Sequence, residues 1–285
     1  SLHDALPIYR ESTHGRYGKI NKFMKSHPHT EKFCEFMALK TANGNKDWHE
    51  WKNKKPDEAT LKTWRFTQFI FFEQWMKIKN YANSKGVKII GDIPIYVALD
   101  SADVWAEPEM FRLDRHRVPT EVSGVPPDYF SEDGQLWGNP LYNYEAMEKD
   151  GFGWWIRRVD GASRLYDAIR FDHFRGLASY WTVPYGETTA KKGKWEKGPG
   201  MKLVGVLTSW FRDISFIAED LGAATPDVAK LLYDSQLPGM KVLEFAFDPD
   251  SQSTHLPHFY EKNCVCYAGT HDNDTVMGWL LSADP

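Results

Sequence analysis

The chain has 285 residues, enough for one large domain with a buried core, and α/β barrels commonly fall in this size range. Its 35 lysines and arginines against 39 aspartates and glutamates give a net charge of −4, which argues against a nucleic-acid partner because phosphate binding favours a basic surface. Aromatic residues make up 15% of the chain, and the flat faces of its 12 tryptophans and 13 tyrosines suit either a large core or the face of a sugar ring.

The two ends of the chain and its cysteines bear on where the protein is located. Residues 1–8 (SLHDALPI) show no periodicity and are interpreted as a non-native leader. No apolar stretch is long enough to cross a membrane, so we expect no membrane partner. Three cysteines fit neither a disulfide framework nor a zinc spacing, and we predict reduced, buried thiols in a cytoplasmic protein. The cysteines are Cys34, Cys264 and Cys266.

The first quarter of the chain is predicted to be mainly helical. Residues 9–58 are polar, with a possible short helix around Thr30–Lys40. Ala59–Asn83 has apolar residues at spacings of three to five, which predicts a long amphipathic helix. Gly86 is well placed to end that helix in the left-handed backbone conformation.

From residue 87 onward, short apolar runs are each followed by acidic or polar residues, and helix-like segments lie between them. Such runs are typical of parallel strands buried on both faces, and alternation with helices indicates βαβ units. A (β/α) barrel gathers the carboxyl ends of its strands at one face, so we predict an α/β fold, a (β/α)8 TIM barrel. A doubly wound open sheet is the alternative, although no Gly-rich phosphate loop supports it. The predicted strands are Val87–Ile90, Ala168–Phe171, Ile214–Ala218, Val242–Phe247 and Cys264–Ala268, and the helices are Trp154–Tyr166, Thr225–Asp234 and Val276–Leu281.

The number of strands predicts that this barrel is incomplete. Five clear runs, or six with one hidden in the longest connection, fall short of eight, and the chain stops at Pro285 soon after a helix begins. We therefore expect residues 9–285 to be a partial catalytic barrel, a fragment lacking the first and last strands. A long inserted loop region is expected at about 98–160.

Within that insertion, the stretch Val118–Pro140 is rich in proline and glycine. It also carries Tyr129, Phe130 and Trp137, which are unusual residues to leave in a loop without a purpose. We interpret it as a lid or substrate platform over the active face, with an ordinary surface loop as the alternative.

Three acidic residues follow predicted strands: Asp172, Glu219 and Asp272. They are 47 and 53 residues apart, so only the fold can bring them together. Glycosidic transfer with retention needs two facing carboxyl groups about 5–5.5 Å apart, one that attacks the anomeric carbon and one that exchanges a proton. A lone acidic residue at a strand end more often caps the following helix.

Several segments, in order, resemble glycoside hydrolase family 77, the 4-α-glucanotransferases called amylomaltase or disproportionating enzyme. The resemblance covers roughly residues 30–281, and several motifs in the right order are far more specific than one short pattern. The segments are Gly91–Val97, Ala98–Trp105, Gly124–Phe130, Gly134–Tyr142, Ile169–Gly176, Ile217–Gly222, Leu237–Val242 and Gly269–Thr275.

The resemblance implies a role for each strand-end residue. Asp172 is implied as the nucleophile, Glu219 as the general acid/base with a pKa raised towards neutrality, and Asp272 as a residue that binds sugar hydroxyls and favours the oxocarbenium-like transition state. Arg170 is implied to orient Asp172 through charge-assisted hydrogen bonds, and His271 to donate a hydrogen bond beside Asp272. A structural ion pair is the alternative for Arg170 and His271.

Four further residues are implied as substrate-binding residues. Asp92 and Tyr96 are expected to shape the donor sugar subsite, and Trp137 and Asn139 to lie over the sugar chain. Plain packing is the alternative for all four. The resemblance implies no cofactor and no metal, and the histidines have no metal-ligand spacing.

Three functions compete at this point. The first is a 4-α-glucanotransferase that transfers α-1,4-glucan segments between malto-oligosaccharides through a covalent glycosyl-Asp172 intermediate. The second is an α-amylase-like retaining hydrolase, in which water replaces the acceptor sugar. The third is a starch-binding module without activity, which does not need opposed carboxyl groups. The motifs GVPPDYF and GQLWGNPLY favour the transferase.

Overall fold

A computed structural model of the chain describes residues 16–128, 131–221, 225–247 and 253–282. The chain divides into two compact units. Unit 1 comprises Ser1–Ile89, Tyr96–Arg157 and Thr182–Gly193. Unit 2 comprises Ile90–Ile95, Arg158–Trp181 and Lys194–Pro285. The proposed leader, residues 1–8, lies outside the described residues.

Unit 1 begins with three helices that share one apolar core. Helix α1 spans Tyr17–Ser26, α2 spans Pro28–Ala42 and α3 spans Glu58–Ser84. Proline at the first position of α2 suits a helix start, because the missing N–H has no partner there in any case. The predicted short helix at 30–40 is confirmed and extends further at both ends. The buried residues of this core are Ile20, Met24, Cys34, Ala38, Leu61, Phe66 and Phe69.

Helix α3 confirms the predicted amphipathic helix within one residue at each end. The Asp57 carboxylate caps it by accepting a hydrogen bond of 2.8 Å from the Thr60 N–H. Gly86 follows the end of the helix with φ +76°, the left-handed conformation expected for it. The four buried residues of α3 lie in its first half, and Ile78 in its second half is 58% exposed.

The rest of unit 1 contains short elements around an aromatic cluster. Tyr142 is the centre of this cluster: its ring lies 5.3 Å from that of Trp154, 5.5 Å from that of Trp155 and 5.4 Å from that of Phe111. All four rings are buried, so much of the aromatic excess serves the core. The elements of this region are α4 (Ala102–Ala106), β2 (Glu121–Val125), β3 (Gln135–Pro140) and α5 (Tyr144–Lys149).

The region at 98–160, predicted to be a long inserted loop region, contains short helices and strands. Strands β2 and β3 form an antiparallel pair, with Gly124 opposite Leu136, inside the stretch that we predicted to be a loop. The sequence did not indicate this hairpin, because its prolines and glycines interrupt the alternation of apolar and polar residues that predicts a strand. Tyr129 and Phe130, two of the predicted lid aromatics, lie outside the described residues.

The centre of unit 2 is a three-stranded parallel sheet in the order β1-β4-β7. Strand β1 is Ile90–Ile93, β4 is Ala168–Phe171 and β7 is Ser215–Ala218. Strand β4 lies between the other two and is buried at all four positions, which explains its continuous apolar run. The remaining α-helices within the described residues are α6 (Gly153–Leu165), α7 (Met201–Trp210), α8 (Pro226–Ser235) and α9 (Val276–Ser282).

Two predicted strands are displaced in the structure. The first lies at Ile90–Ile93 rather than 87–90, because its ladder aligns Ile90 with Ala168 and Ile93 with Phe171. The fourth lies at Gly239–Val242, here called β8, whereas the predicted run over 243–247 forms a 3-10 helix. Apolar content alone does not distinguish a strand from a buried helical turn. Strand β9, Cys264–Tyr267, pairs with β8 in parallel as a separate two-stranded sheet.

The prediction of an incomplete (β/α)8 TIM barrel that lacks its first and last strands is wrong: the strands of the described residues form separate sheets and no closed barrel. Their strands form three sheets, which are the parallel sheet β1-β4-β7, the parallel pair β8-β9 and a four-stranded sheet in the order β3-β2-β5-β6. Strands β5 and β6 are Ser179–Pro184 and Lys194–Lys197. A barrel closes only if every strand is hydrogen-bonded to a neighbour on both sides. Polar residues that follow parallel strands gather at one edge of an open sheet as well, so their pattern in the sequence did not require a barrel.

The buried position of β4 gives a stability prediction. Ile169, in its middle, is fully buried, so Ile169→Ala should lower the free energy of unfolding by about 2–5 kcal/mol through lost burial and a residual cavity. Ile78→Ala removes the same atoms from an exposed position and should change it by less than about 0.5 kcal/mol. Urea titration of both variants measures the difference. Equal losses would contradict the core position of Ile169.

Two further findings concern the predictions about location. Within the described residues, no helix is long and apolar enough to cross a membrane. All three cysteines are free, but only Cys34 is buried, and Cys266 is exposed. The prediction of three buried thiols is therefore wrong for β9, whose residues are partly accessible on both faces.

Candidate active site

The first part of the candidate site is built by neighbouring strands β1 and β4. Their register places Asp92 opposite Arg170, and the ladder continues with a 3.1 Å hydrogen bond from the Asp172 N–H to the Ile93 carbonyl. Arg170 and Asp172 are two residues apart in extended chain, so their side chains leave the same face. The sheet itself therefore brings these three side chains together.

The Arg170 guanidinium binds both carboxylates. Its Nη1 donates to Asp172 Oδ1 at 2.9 Å and lies 3.2 and 3.3 Å from the two Asp92 oxygens, while its Nη2 donates to Asp172 Oδ1 at 3.0 Å. The arginine side chain is only 10% exposed, whereas the two carboxylates are 40% and 38% exposed. A buried cation thus fixes two carboxylates whose free edges remain accessible to a ligand.

The pKa of Asp92 is raised above its usual value, mainly by burial. The Arg170 charge opposes this rise, the charges of Asp172 and Asp272 add to it, and His271 opposes it. Residues predicted from distant parts of the sequence therefore act on one carboxyl group.

The second part of the site is Glu219, which directly follows β7. Its N–H donates to the Phe171 carbonyl at 3.0 Å, which extends the β4–β7 ladder by one residue. Its side chain is held at both oxygens by main-chain donors: Oε1 accepts from the Leu221 N–H and Oε2 from the His173 N–H, each at 2.7 Å. No side-chain cation takes part in these bonds.

The pKa of Glu219 is raised, with burial as the largest cause. The N–H groups of Leu221 and His173 lower it, the Asp172 charge raises it and Arg170 lowers it. The net direction is the one that a general acid requires, because the group must carry a proton where free carboxyl groups do not. Asp172 and Glu219 thus lie at neighbouring strand ends in different surroundings, one bound to a guanidinium and one buried among amides.

The third part of the site is the segment after β9 that carries His271 and Asp272. The Asn273 amide oxygen accepts from the Thr270 N–H at 2.9 Å, and the Asp272 N–H donates to Thr270 Oγ1 at 3.2 Å. His271 Nε2 lies 3.5 Å from Asp272 Oδ2, and the two side chains are 70% and 72% exposed. This turn presents both polar groups outward, free to contact a ligand.

A cavity of about 340 Å³ joins the first and third parts of the site. Its polar lining includes Asp92, Arg170 and His271, and its apolar lining includes Met240 and Tyr267. Ligand sites of small molecules commonly have this size and this mixture of apolar wall with few polar groups.

The other three predicted site residues lie in unit 1. The Tyr96 ring lies 6.2 Å from that of Trp137, which is 37% exposed. The Asn139 amide donates to the Val97 carbonyl at 3.2 Å, and its Oδ1 accepts from Ser123 Oγ at 3.4 Å. These contacts group Tyr96, Trp137 and Asn139 locally, and their binding roles stay predictions.

Sequence reasoning missed the two main-chain donors to Glu219. An N–H group has no side-chain signature, so nothing at Leu221 or His173 marks it as a carboxylate donor. Within the described ranges, no group of three or more His, Cys, Asp or Glu side chains is placed to hold a metal ion.

Comparison with known proteins gives a consistent result. The family model described as 4-alpha-glucanotransferase, glycoside hydrolase family 77, matches residues 3–284. The 4-alpha-glucanotransferase of Clostridium butyricum is 50% identical over 259 residues, covering 86% of this chain and 53% of that protein. The 4-alpha-glucanotransferase of Streptococcus pneumoniae (strain TIGR4) is 46% identical over 263 residues, covering 87% and 52%.

A solved structure agrees with these relatives. The amylomaltase from Streptococcus agalactiae, in complex with acarbose, superposes with a TM-score of 0.90 at 38% identity, covering 99% of this chain and 60% of that one. The chain thus spans about half the length of the curated relatives that it matches.

Proposed function

The chain belongs to the family of 4-alpha-glucanotransferases, glycoside hydrolase family 77, and we propose that it transfers α-1,4-glucan segments between malto-oligosaccharides. The observation that carries the proposal is the pair of carboxyl groups at neighbouring strand ends, Asp172 bound by Arg170 and Glu219 buried among main-chain amides. Retaining transfer needs two such groups in unlike surroundings. Malto-oligosaccharides and α-1,4-glucans serve as donors and acceptors.

The first half-reaction breaks the glycosidic bond. Asp172 attacks the anomeric carbon of the donor while Glu219 protonates the departing glycosidic oxygen, which leaves a glycosyl ester on Asp172. Arg170 supports this step because its two N–H donors hold the Asp172 carboxylate in place and leave its accessible edge free. The raised pKa of Glu219 supports its role as the proton donor.

The second half-reaction transfers the glucan. Glu219, now a carboxylate, removes the proton from an acceptor hydroxyl, and that oxygen attacks the anomeric carbon and displaces Asp172. We assign Asp272, His271 and Asp92 to sugar hydroxyls, because their polar groups are accessible. Tyr96, Trp137 and Asn139 are proposed to contact the sugar chain.

Incubation with maltotriose distinguishes transfer from hydrolysis. We expect glucan chains longer than maltotriose to appear together with glucose, without added metal or nucleotide, because a bound sugar accepts the glycosyl group in place of water. Chromatography of the products over time measures this. Products limited to glucose and maltose would favour the α-amylase-like hydrolase and overturn the transferase.

The solved amylomaltase complex contains acarbose, and we expect acarbose to bind this site and inhibit transfer. A cytoplasmic location is proposed from the free thiols, which an oxidising compartment would tend to convert to disulfides.

A further inference from the structure

His173, the residue after Asp172, has an unusual backbone conformation. Its φ and ψ are 50° and 47°, in the left-handed region, where residues other than glycine and asparagine are uncommon. Its side chain is half-buried, and desolvation together with the Arg175 charge lowers the pKa of His173 to about 4. The ring is therefore neutral near pH 7 and is not a proton donor for the reaction.

This conformation determines where two main-chain donors point. In a continuing strand, successive N–H groups point to opposite sides. Here the N–H of His173 donates to Glu219 Oε2 at 2.7 Å and the N–H of Phe174 donates to the Glu219 carbonyl at 2.9 Å. A left-handed residue brings successive N–H groups to one side, as in main-chain anion sites. Both donors after the nucleophile thus bind the same partner.

The consequence is a short link between the two carboxyl groups. Asp172 is fixed through its own N–H, which donates to the Ile93 carbonyl at 3.1 Å, and the next amide fixes Glu219. The Leu221 N–H holds the other carboxyl oxygen at 2.7 Å. Of the donors to the Glu219 carboxylate, only the one from His173 depends on a strained backbone conformation.

We propose that His173 is a positioning residue, whose left-handed backbone holds the general acid Glu219 in its reactive orientation beside the nucleophile. This inference rests on the proposed function, because it assumes the roles given to Glu219 and Asp172. The side chain acts through the conformation that it tolerates and through its packing.

The pKa of Glu219 depends on the charged groups around it and on the hydrogen bond from the His173 N–H. The charges of Arg170, in β4, and of Asp172, directly after β4, act on the Glu219 carboxyl group. The charge of Arg175, in the 3-10 turn after His173, also interacts with Glu219. The His173 N–H lowers the pKa of Glu219, so loss of this donor should raise that pKa further. The limb of the rate profile that falls with rising pH should then move to higher pH.

The test compares His173→Val with His173→Asn in protein made from its full reading frame. Both lose the imidazole, but asparagine accepts the left-handed conformation and a β-branched residue does not. Two donors are used: maltotriose, whose leaving group needs a proton, and maltotriosyl fluoride, whose leaving group does not. Mass spectrometry follows formation of the glycosyl-enzyme in the first half-reaction.

We expect the Val variant to lose about 10²-fold or more with maltotriose, to keep its rate of glycosyl-enzyme formation from the fluoride, and to show the falling limb at higher pH. The Asn variant should keep both rates. Equal rates for the two variants with maltotriose, or an equal loss with both donors, would overturn the inference. If the Val variant does not fold, His173→Ala replaces it, because alanine lacks the branch but still disfavours this conformation.

The same data separate this inference from the proposed function. Unmodified protein that forms no glycosyl-enzyme from the fluoride would overturn the role of Asp172, and the inference with it. Unmodified protein that forms it normally, with identical Val and Asn variants, would overturn the inference alone.

Discussion

Asp172→Asn should reduce glucan transfer from maltotriose by at least roughly 10⁴-fold, because a neutral amide cannot replace the carboxylate as nucleophile. The substitution keeps the size of the side chain, and Arg170 still has Asp92 as an ionic partner, so the sheet should be preserved. Product chromatography measures the rate, and mass spectrometry should detect no glycosyl-enzyme, even with a glycosyl fluoride donor.

The matched control is Asp213→Asn, the same chemical change at an exposed residue before β7. It should leave transfer unchanged. Near-normal turnover by the Asp172 variant, or an equal loss in both variants, would contradict the assignment of Asp172 as the nucleophile.

Glu219→Gln should reduce transfer from maltotriose by about 10²–10⁴-fold, because glutamine cannot protonate the departing oxygen. With maltosyl fluoride, whose leaving group needs no proton, the variant should still form the glycosyl-enzyme. This intermediate should then accumulate, because no base activates the acceptor hydroxyl. Mass spectrometry of the quenched reaction detects the added glycosyl group on Asp172.

The pH dependence gives a second test of Glu219. In the unmodified protein, the rate with maltotriose should fall as pH rises through the pKa of Glu219, since the acid must be protonated. Burial raises that pKa, so this limb should lie above the usual carboxyl range. The limb should be absent from the residual maltotriose reaction of Glu219→Gln, whereas Glu50→Gln, the same change at an exposed position, should retain it. A Glu219→Gln variant that keeps the limb with maltotriose would contradict the role of Glu219.

Local patterns predicted much of the secondary structure. The 27-residue helix α3 has apolar residues at spacings of three to five and a capping aspartate, and both signals act within a few residues. Strand β4 was predicted at its observed bounds, because burial on both faces leaves an uninterrupted apolar run. The hairpin of β2 and β3 was missed, since its bulge and glycines interrupt alternation.

The sequence named candidate residues, whose roles stay predictions, but not the geometry in which the structure arranges them. Asp172 and Glu219 stood out because each follows an apolar run inside a family-like motif. The sequence contained no information that the Glu219 carboxylate receives two main-chain hydrogen bonds, one of them from His173. It also could not distinguish a barrel from an open parallel sheet, because both place strand ends at one edge.

The amino-acid sequence alone thus determined the residue types, their order and the family, since side-chain chemistry and short-range periodicity are written directly in it. The tertiary structure decided which strands pair, and therefore that Arg170 lies between Asp92 and Asp172. It also decided the unlike surroundings of Asp172 and Glu219. Those surroundings arise from burial and from main-chain N–H donors in segments that are distant in the sequence. Both depend on which segments lie together in space, so only the tertiary structure determines them.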